Sequence, residues 1–264
     1  MTLVVKVGGA AGNALDPVLD DLAGRNDYVL VHGGSERVDA LGAALGRPSS
    51  YYTSPSGVVS RRSDPAHLEV VVLALAGAVQ TELVAGLDRR GVRAIGLSGV
   101  DARLLLARRK EGAREVVEGR VLRLADDRSG TIERVDAELL RALLRLGLVP
   151  VVGPPAITSD GTIVNVDADR VAASVAQSLG AEALILLTNV PGLLRDRADP
   201  TSVIPTVARD AVDAVLPFAE GRMRKKVLAA QAALKGGVGR VVIGPSGGTA
   251  PVERALAGGG TVFA

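Results

Sequence analysis

Two apolar strands that each run into paired glycines set the strongest limit on how this chain can fold. Residues 3–7 (LVVKV) meet Gly8-Gly9, and residues 28–32 (YVLVH) meet Gly33-Gly34 and Ser35. Short apolar runs separated by helix-length segments read as buried parallel strands joined by crossover helices. Helices are expected at 15–24, after Ser35 with Val38, Leu41 and Leu45 along one face, and at 65–90, closed by Gly91. A strand at 92–97, a helix at 136–146 and a strand at 148–153 follow. The second half repeats the rhythm with helix 167–179, strand 183–188, helices 208–216 and 221–235, strand 240–243 and a terminal helix and strand. The expected fold is α/β: an open, mostly parallel sheet sandwiched between helices in three layers. The dense strand at 183–188 starts a new series, which divides one continuous fold into lobes 1–180 and 181–264.

Composition narrows the chemistry. With 47% hydrophobic but only 2% aromatic residues, the core must be built from Val, Leu, Ile and Ala. Cysteine is absent, which excludes disulfides and thiolate metal sites. His32 and His67 are the sole histidines, too few for a histidine-built zinc centre, and no metal-ligating site is expected. A net charge of +2 and no aromatic platforms argue against nucleic acid. No leader precedes VVKVGG and no apolar stretch reads as long enough to span a membrane, so no membrane partner is expected and the expected location is cytoplasmic.

Ligands of open α/β sheets bind beyond the carboxyl ends of the strands. Glycines there let an anion approach the backbone, and the following helix N-termini favour negative charge. Neither a GxxxxGK[ST] loop nor the protein-kinase motifs occur, so a phosphate site must rest on another fold. Lysine is scarce: Lys6, Lys110, Lys225, Lys226 and Lys235 stand among 31 basic residues. Lys6 lies at the end of the first strand, where a buried ammonium is costly without a charged partner. Residues 221–227 (GRMRKKV) put cations at a helix N-terminus, against the helix dipole, which an anionic ligand would resolve. Asn165, Asp167 and Asp169 open the helix at 167–179, either as ordinary capping acids or as groups that hold substrate and lysines.

Residues 49–62 read as a loop or hairpin. Residues 103–125 read as a charged hairpin in which RLLLARR and REVVEGRVLRL flank a polar turn at 110–113. Over 103–123 there are seven basic and three acidic residues, a local excess that suits an acidic protein partner.

Six segments occur in order over the whole chain: KVGGA (6–10), HGGS (32–35), SRRSD (60–64), NVDAD (165–169), LTNVPGLL (187–194) and GRMRKKV (221–227). Together they resemble the acetylglutamate kinase branch of the amino-acid kinase family. YYTSPSGVVSRRSD (51–64) further resembles the enzymes that act on aminoadipate or glutamate attached to a small acidic amino-group carrier protein of the LysW type. The resemblance implies ATP-dependent phosphorylation of a side-chain carboxylate, with Mg²⁺ held through ATP phosphates and water. Under it, Lys6 and Lys226 flank the transferred phosphoryl group and Asp169 holds both. Gly8 and Gly9 donate backbone hydrogen bonds near the phosphoryl group, and Gly33 and Gly34 donate to the amino-acid substrate. Arg61 pairs with the substrate α-carboxylate and Asn165 holds the region of its α-nitrogen. Thr188, Asn189, Val190, Gly192, Leu194 and Met223 bind ATP. The family motif GGMIPK reads GRMRKK here, leaving Lys225 and Lys226 as candidates, with register favouring Lys226; Arg62 offers an alternative to Arg61.

Three functions are therefore open: a carrier-linked aminoadipate kinase of lysine synthesis, a free N-acetylglutamate kinase of arginine synthesis, and a binding module without turnover. A homodimer is expected, because Met1 directly precedes the first strand and leaves no room for the N-terminal helix that builds hexamers in arginine-inhibited relatives.

Overall fold

The computed structural model describes residues 2–55, 59–112, 114–124 and 126–264. Parts of the expected loop at 49–62 (residues 56–58) and turn at 110–113 (Ala113), with Met1, lie outside these. The first half contains β1 (Leu3–Val7), α1 (Asp16–Leu22), β2 (Tyr28–His32), α2 (Ser35–Ala44), β3 (Tyr51–Thr53), β4 (Val59–Arg61), α3 (Pro65–Val72), α4 (Gln80–Asp88) and β5 (Ala94–Ser98). Next come β6 (Leu105–Arg109), β7 (Arg114–Val117), β8 (Arg120–Arg123), β9 (Gly130–Val135), α5 (Ala137–Arg145) and β10 (Val149–Gly153). Then follow β11 (Ala156–Ile157), β12 (Ile163–Val164), α6 (Ala168–Leu179), β13 (Ala183–Thr188), β14 (Thr206–Val207), α7 (Val212–Val215), α8 (Gly221–Lys235), β15 (Arg240–Pro245), α9 (Pro251–Leu256) and β16 (Thr261–Phe263).

Eight strands form the central sheet in the order β14-β16-β15-β13-β1-β2-β10-β5. All its pairings are parallel except β15 with β16. Strands from 1–180 occupy one half and strands from 181–264 the other, meeting where β1 pairs β13. Because strand side chains alternate between faces, one sheet supplies two cores. Val4, Val29, Val31, Leu184 and Leu186 point to the face covered by α5, α6 and α8. Val5, Val7, Leu30, Ile185 and Leu187 point to the face covered by α1, α4 and α9. The expected three-layer α/β/α architecture is the one observed.

Two expectations fail. The stretch 103–125 is not one hairpin. β6 pairs antiparallel with β9, and REVVEGRVLR folds on itself as β7–β8. Glu118 and Gly119, both at positive φ (49° and 77°), make the two-residue turn that fixes this local pairing. β9 matches β6 because Val135, Leu105 and Ala107 are buried in the same core, a constraint that local pattern does not carry. Second, the helix Pro65–Asp88 is 24 residues long, long and apolar enough by length and composition to cross a membrane. In the fold its Val70, Val71, Leu75, Leu83 and Leu87 are buried, against α2 and the sheet. Its middle, Leu73–Val79, is a π-turn.

Candidate active site

Strand periodicity places Lys6 on the same face as Val4, toward α6 and α8. α6 begins beneath it. Asp167 caps this helix by accepting from the amides of Asp169 and Arg170, and so presents Asp169 in the first turn. α8 brings Lys226 to the same point. Lys6 Nζ lies 2.8 Å from Asp169 Oδ1, and Lys226 Nζ lies 3.0 and 3.1 Å from Oδ1 and Oδ2. All three side chains are buried, with under 10% exposure. Lys225 turns outward and sits 3.6 Å from Asp167 Oδ2. Of the two adjacent lysines, Lys226 is the one that shares Asp169 with Lys6.

The cluster carries two cations on one carboxylate. Burial alone would raise the Asp169 pKa, but Lys6 and then Lys226 overcome it and hold the carboxyl well below its usual range. For Lys226, burial and the neighbouring Lys6 outweigh Asp169 and lower its pKa. An unbalanced positive charge in a buried site is unfavourable until an anion joins it. The two lysines therefore leave a net positive charge that favours an anion beside them.

Two glycine turns border this cluster, back to back. A Cβ at Gly9 would collide with the backbone of Gly34, and Glu36 N and Ser35 Oγ both donate to Gly9 O, at 2.8 and 2.9 Å. A Cβ at Gly33 would stand 3.9 Å from Lys6 Nζ. The four glycine amides are not equivalent, in contrast to the sequence reading. Gly8 N donates to Leu187 O and Gly33 N to Val7 O, extending the sheet. The Gly9 and Gly34 amides have no acceptor among the described residues.

Of the residues that hold the first turn, the sequence reading missed Asn13 and Ser246 and named Asn189 for ATP alone. Asn13 Nδ2 donates to Ala10 O, and Ser246 Oγ, fully buried, donates to Asn13 Oδ1 and accepts from Ala14 N. Asn189 Nδ2 donates to Ala11 O. Ser246 comes from the end of β15, two strands away, and no local signal announces that link.

The other expected residues divide between the two halves of the site. Thr188 ends β13 and is buried beside Asn189, while Met223 packs from the first turn of α8. Val190 is partly buried. Gly192 packs against Thr261, and Leu194 bridges to Val203, so these two shape the loop. Asn165 Nδ2 donates to Ser63 Oγ at 3.2 Å, joining the start of α6 to the β4–α3 corner. Arg61 is not free: Asp39 Oδ2 lies 2.7 Å from its Nη2, and the Tyr51 ring and hydroxyl flank it. Arg62 pairs with Glu115 on β7. No cluster of three or more metal-ligating side chains occurs among the described residues.

The amino acid kinase family model matches residues 1–245, and the chain belongs to that family. It is 46% identical over 264 residues to the LysW-aminoadipate kinase of Deinococcus radiodurans, covering 98% of this chain and 90% of the relative. Identity to the LysW-aminoadipate kinase of Thermus thermophilus is 41%, over 98% and 99% of the two chains. The acetylglutamate kinase of Methanopyrus kandleri is 38% identical over 98% of both. Among solved structures, N-acetylglutamate synthase from Neisseria gonorrhoeae superposes with a TM-score of 0.79 at 28% identity. That match covers this whole chain but 59% of the synthase.

His32 lies at the end of β2 with 1% exposure, and burial pushes its pKa down to about 4 against the opposing influence of the Gly33 carbonyl and Gln80. The unfolded imidazole titrates near 6.5, so below that pH the unfolded state takes up a proton that the native state refuses. Stability should therefore fall as pH drops from about 6.5 toward 4, by about 2 kcal/mol between pH 7 and 5. Urea unfolding across this window measures it. A His32→Gln variant should have a shallower dependence; an unchanged slope would assign the effect elsewhere.

Proposed function

We propose that the chain is an ATP-dependent kinase that phosphorylates the side-chain carboxylate of 2-aminoadipate, or of glutamate, carried on a small acidic LysW-type protein. The observation that carries the chemistry is the buried Lys6–Asp169–Lys226 cluster beside two facing glycine turns. The names and full-length coverage of its relatives support the acceptor.

The acceptor carboxylate is ionised at pH 7, so its oxygen attacks the ATP γ-phosphorus without a general base. A new P–O bond forms, the bond to the β-phosphate oxygen breaks, and ADP leaves with that electron pair. Lys6 and Lys226 bear on the transferred group from either side and offset its developing charge, while Asp169 prevents their mutual repulsion from driving them apart. Gly9 donates toward the phosphoryl group and Gly34 toward the acceptor. Both Asp169 oxygens are taken by lysines, so the cluster offers no free carboxylate to a metal. Mg²⁺ therefore belongs with the nucleotide phosphates, whose charge it neutralises when bound. Residues 181–264, with Thr188–Val190 and Met223, form the nucleotide lobe, and residues 1–180, with Gly34, Arg61 and Asn165, the acceptor lobe. Arg61 exchanges Asp39 for the acceptor α-carboxylate.

The carrier docks on the basic β7–β8 region. A cleft of about 410 Å³ separates Tyr52 and Pro55 from Arg108, Lys110 and Arg114. Arg108 pairs with Glu133 and Arg109 donates to Asp127 O, whereas Lys110, Arg114, Arg120 and Arg123 form no ion pair among the described residues. The homodimer reading rests on the long apolar helix, where Leu73 is 47% exposed, beside the sheet's edge strand β5. Light scattering should give twice the 27.0 kDa chain mass; a monomer or hexamer contradicts it.

Lys6→Ala and Lys226→Ala should each lower kcat by about 10²-fold or more while ATP binding changes far less. Lys225→Ala should retain most of the turnover. Near-normal kcat in either of the first two sinks the assignment. Reversal of Lys110, Arg114 and Arg120 to Glu should raise KM for carrier-linked aminoadipate about tenfold at low salt. The difference should shrink as salt screens exposed charges beyond ~10 Å at 0.1 M. Equal kinetics for variant and wild type at low salt would remove the docking surface, and faster turnover of free N-acetylglutamate than of carrier-linked substrate would favour the arginine-pathway activity.

A further inference from the structure

The helix Pro65–Asp88 lies against the Gly33-Gly34 turn through its one irregular stretch. Over Leu73–Val79 it widens into a π-turn, and the Gln80 amide donates to Leu75 O, five residues back. Such turns redirect side chains that a regular α-helix would place elsewhere, and they recur at functional sites. Here the redirected side chains meet the glycine turn. A Cβ at Gly34 would come within 2.5 Å of Leu75 Cδ2 and 3.0 Å of Val79 Cγ2. Gln80 follows directly, 9% exposed, with its side chain laid on Gly96, where a Cβ would stand 2.7 Å from Gln80 Cγ and Nε2.

Gln80 lies on Gly96 of β5 and the His32 ring on Gly153 of β10, two paired strands in which Gly96 faces Val151 and Ser98 faces Gly153, so the two side chains are neighbours over one face of the sheet. His32 Nδ1 is 3.3 Å from Gly33 O, so the neutral imidazole donates there, which leaves Nε2 as an acceptor. Nε2 is packed against Gly153 and has no further partner among the described residues, and neither does Gln80 Oε1. Leaving such buried groups unpaired is unfavourable. Exchanging the Gln80 amide N and O, which are assigned from their surroundings, pairs an amide donor with the imidazole acceptor.

We propose that Gln80 and His32 form a relay, Gln80 N–H to His32 Nε2 and His32 Nδ1–H to Gly33 O, that fixes the Gly33-Gly34 turn and makes Gln80 a positioning residue for the carboxylate acceptor. The inference rests on the reading of this turn as part of the acceptor half of the site. The relay acts on one turn only, because the nucleotide half is held separately by Asn13, Asn189 and Ser246. Loss of Gln80's hydrogen bond should therefore weaken acceptor binding alone.

Gln80→Met keeps the length and removes the amide. Gly96→Ala leaves Gln80 intact and displaces its side chain. In both, KM for carrier-linked aminoadipate should rise about tenfold, with kcat and KM for ATP within about twofold of wild type, the pattern of lost acceptor binding rather than lost chemistry. Amide hydrogen exchange over residues 32–36, measured on the protein without substrates, should accelerate in both variants while exchange over residues 8–14 does not. Unchanged exchange at 32–36 overturns the relay whatever the acceptor turns out to be. Faster exchange there with an unaltered acceptor KM overturns the positioning role. If wild type turns over neither carrier-linked substrate nor N-acetylglutamate, the acceptor reading fails while the exchange measurement still decides the relay.

Discussion

A single carboxylate shared by two buried lysines is the constraint around which the rest of this molecule is arranged. Asp169 can sit in the core only because Lys6 and Lys226 both reach it, and they can approach each other only because it lies between them. The three residues come from β1, α6 and α8, so the charge cluster ties the centre of the sheet to both helices of one layer. Removing Asp169 would leave two uncompensated buried cations, whereas removing either lysine would leave one balanced pair. Two lysines on one carboxylate leave a residual positive charge that an anion would balance.

The backbone around the cluster is arranged by close approach. The Gly8-Gly9 and Gly33-Gly34 turns touch so tightly that a Cβ at Gly9 has no room. This contact puts the Gly9 and Gly34 amides, without an acceptor among the described residues, on neighbouring turns at the ends of adjacent strands. Different supports hold the two turns. Asn189 and Ser246, from the 181–264 half, secure the first turn, Ser246 through Asn13, and the π-turn of the long helix backs the second.

Legibility in the sequence followed the range of the interaction involved. The strands entering glycine pairs, the lysine at the end of β1 and the acids opening α6 all appear within windows of a few residues, and each was found. The pairing of β6 with β9, residues apart by more than twenty positions, was not, and the two stretches joined by proximity were read as one hairpin. The REVVEGRVLR segment carries its own turn at Glu118-Gly119, a signal that was present but was subordinated to the polar turn upstream. Ser246 and Gln80 look like ordinary residues in sequence, and only their neighbours in space give them a role.

By itself, the sequence determined the alternating βα architecture, the all-aliphatic core and the set of charged residues available to the site. Period-2 and period-3.6 patterning encodes which face of each element is buried, and that information is local. Tertiary structure decided which of two adjacent lysines enters the core, since Lys225 and Lys226 are equivalent as letters but lie 100° apart around α8. It also decided that the Gly8 and Gly33 amides belong to the sheet while those of Gly9 and Gly34 stay open, and that Arg61 rests on Asp39. These outcomes depend on how separate elements dock, because a hydrogen bond or ion pair forms only where packing brings its two partners within about 3 Å.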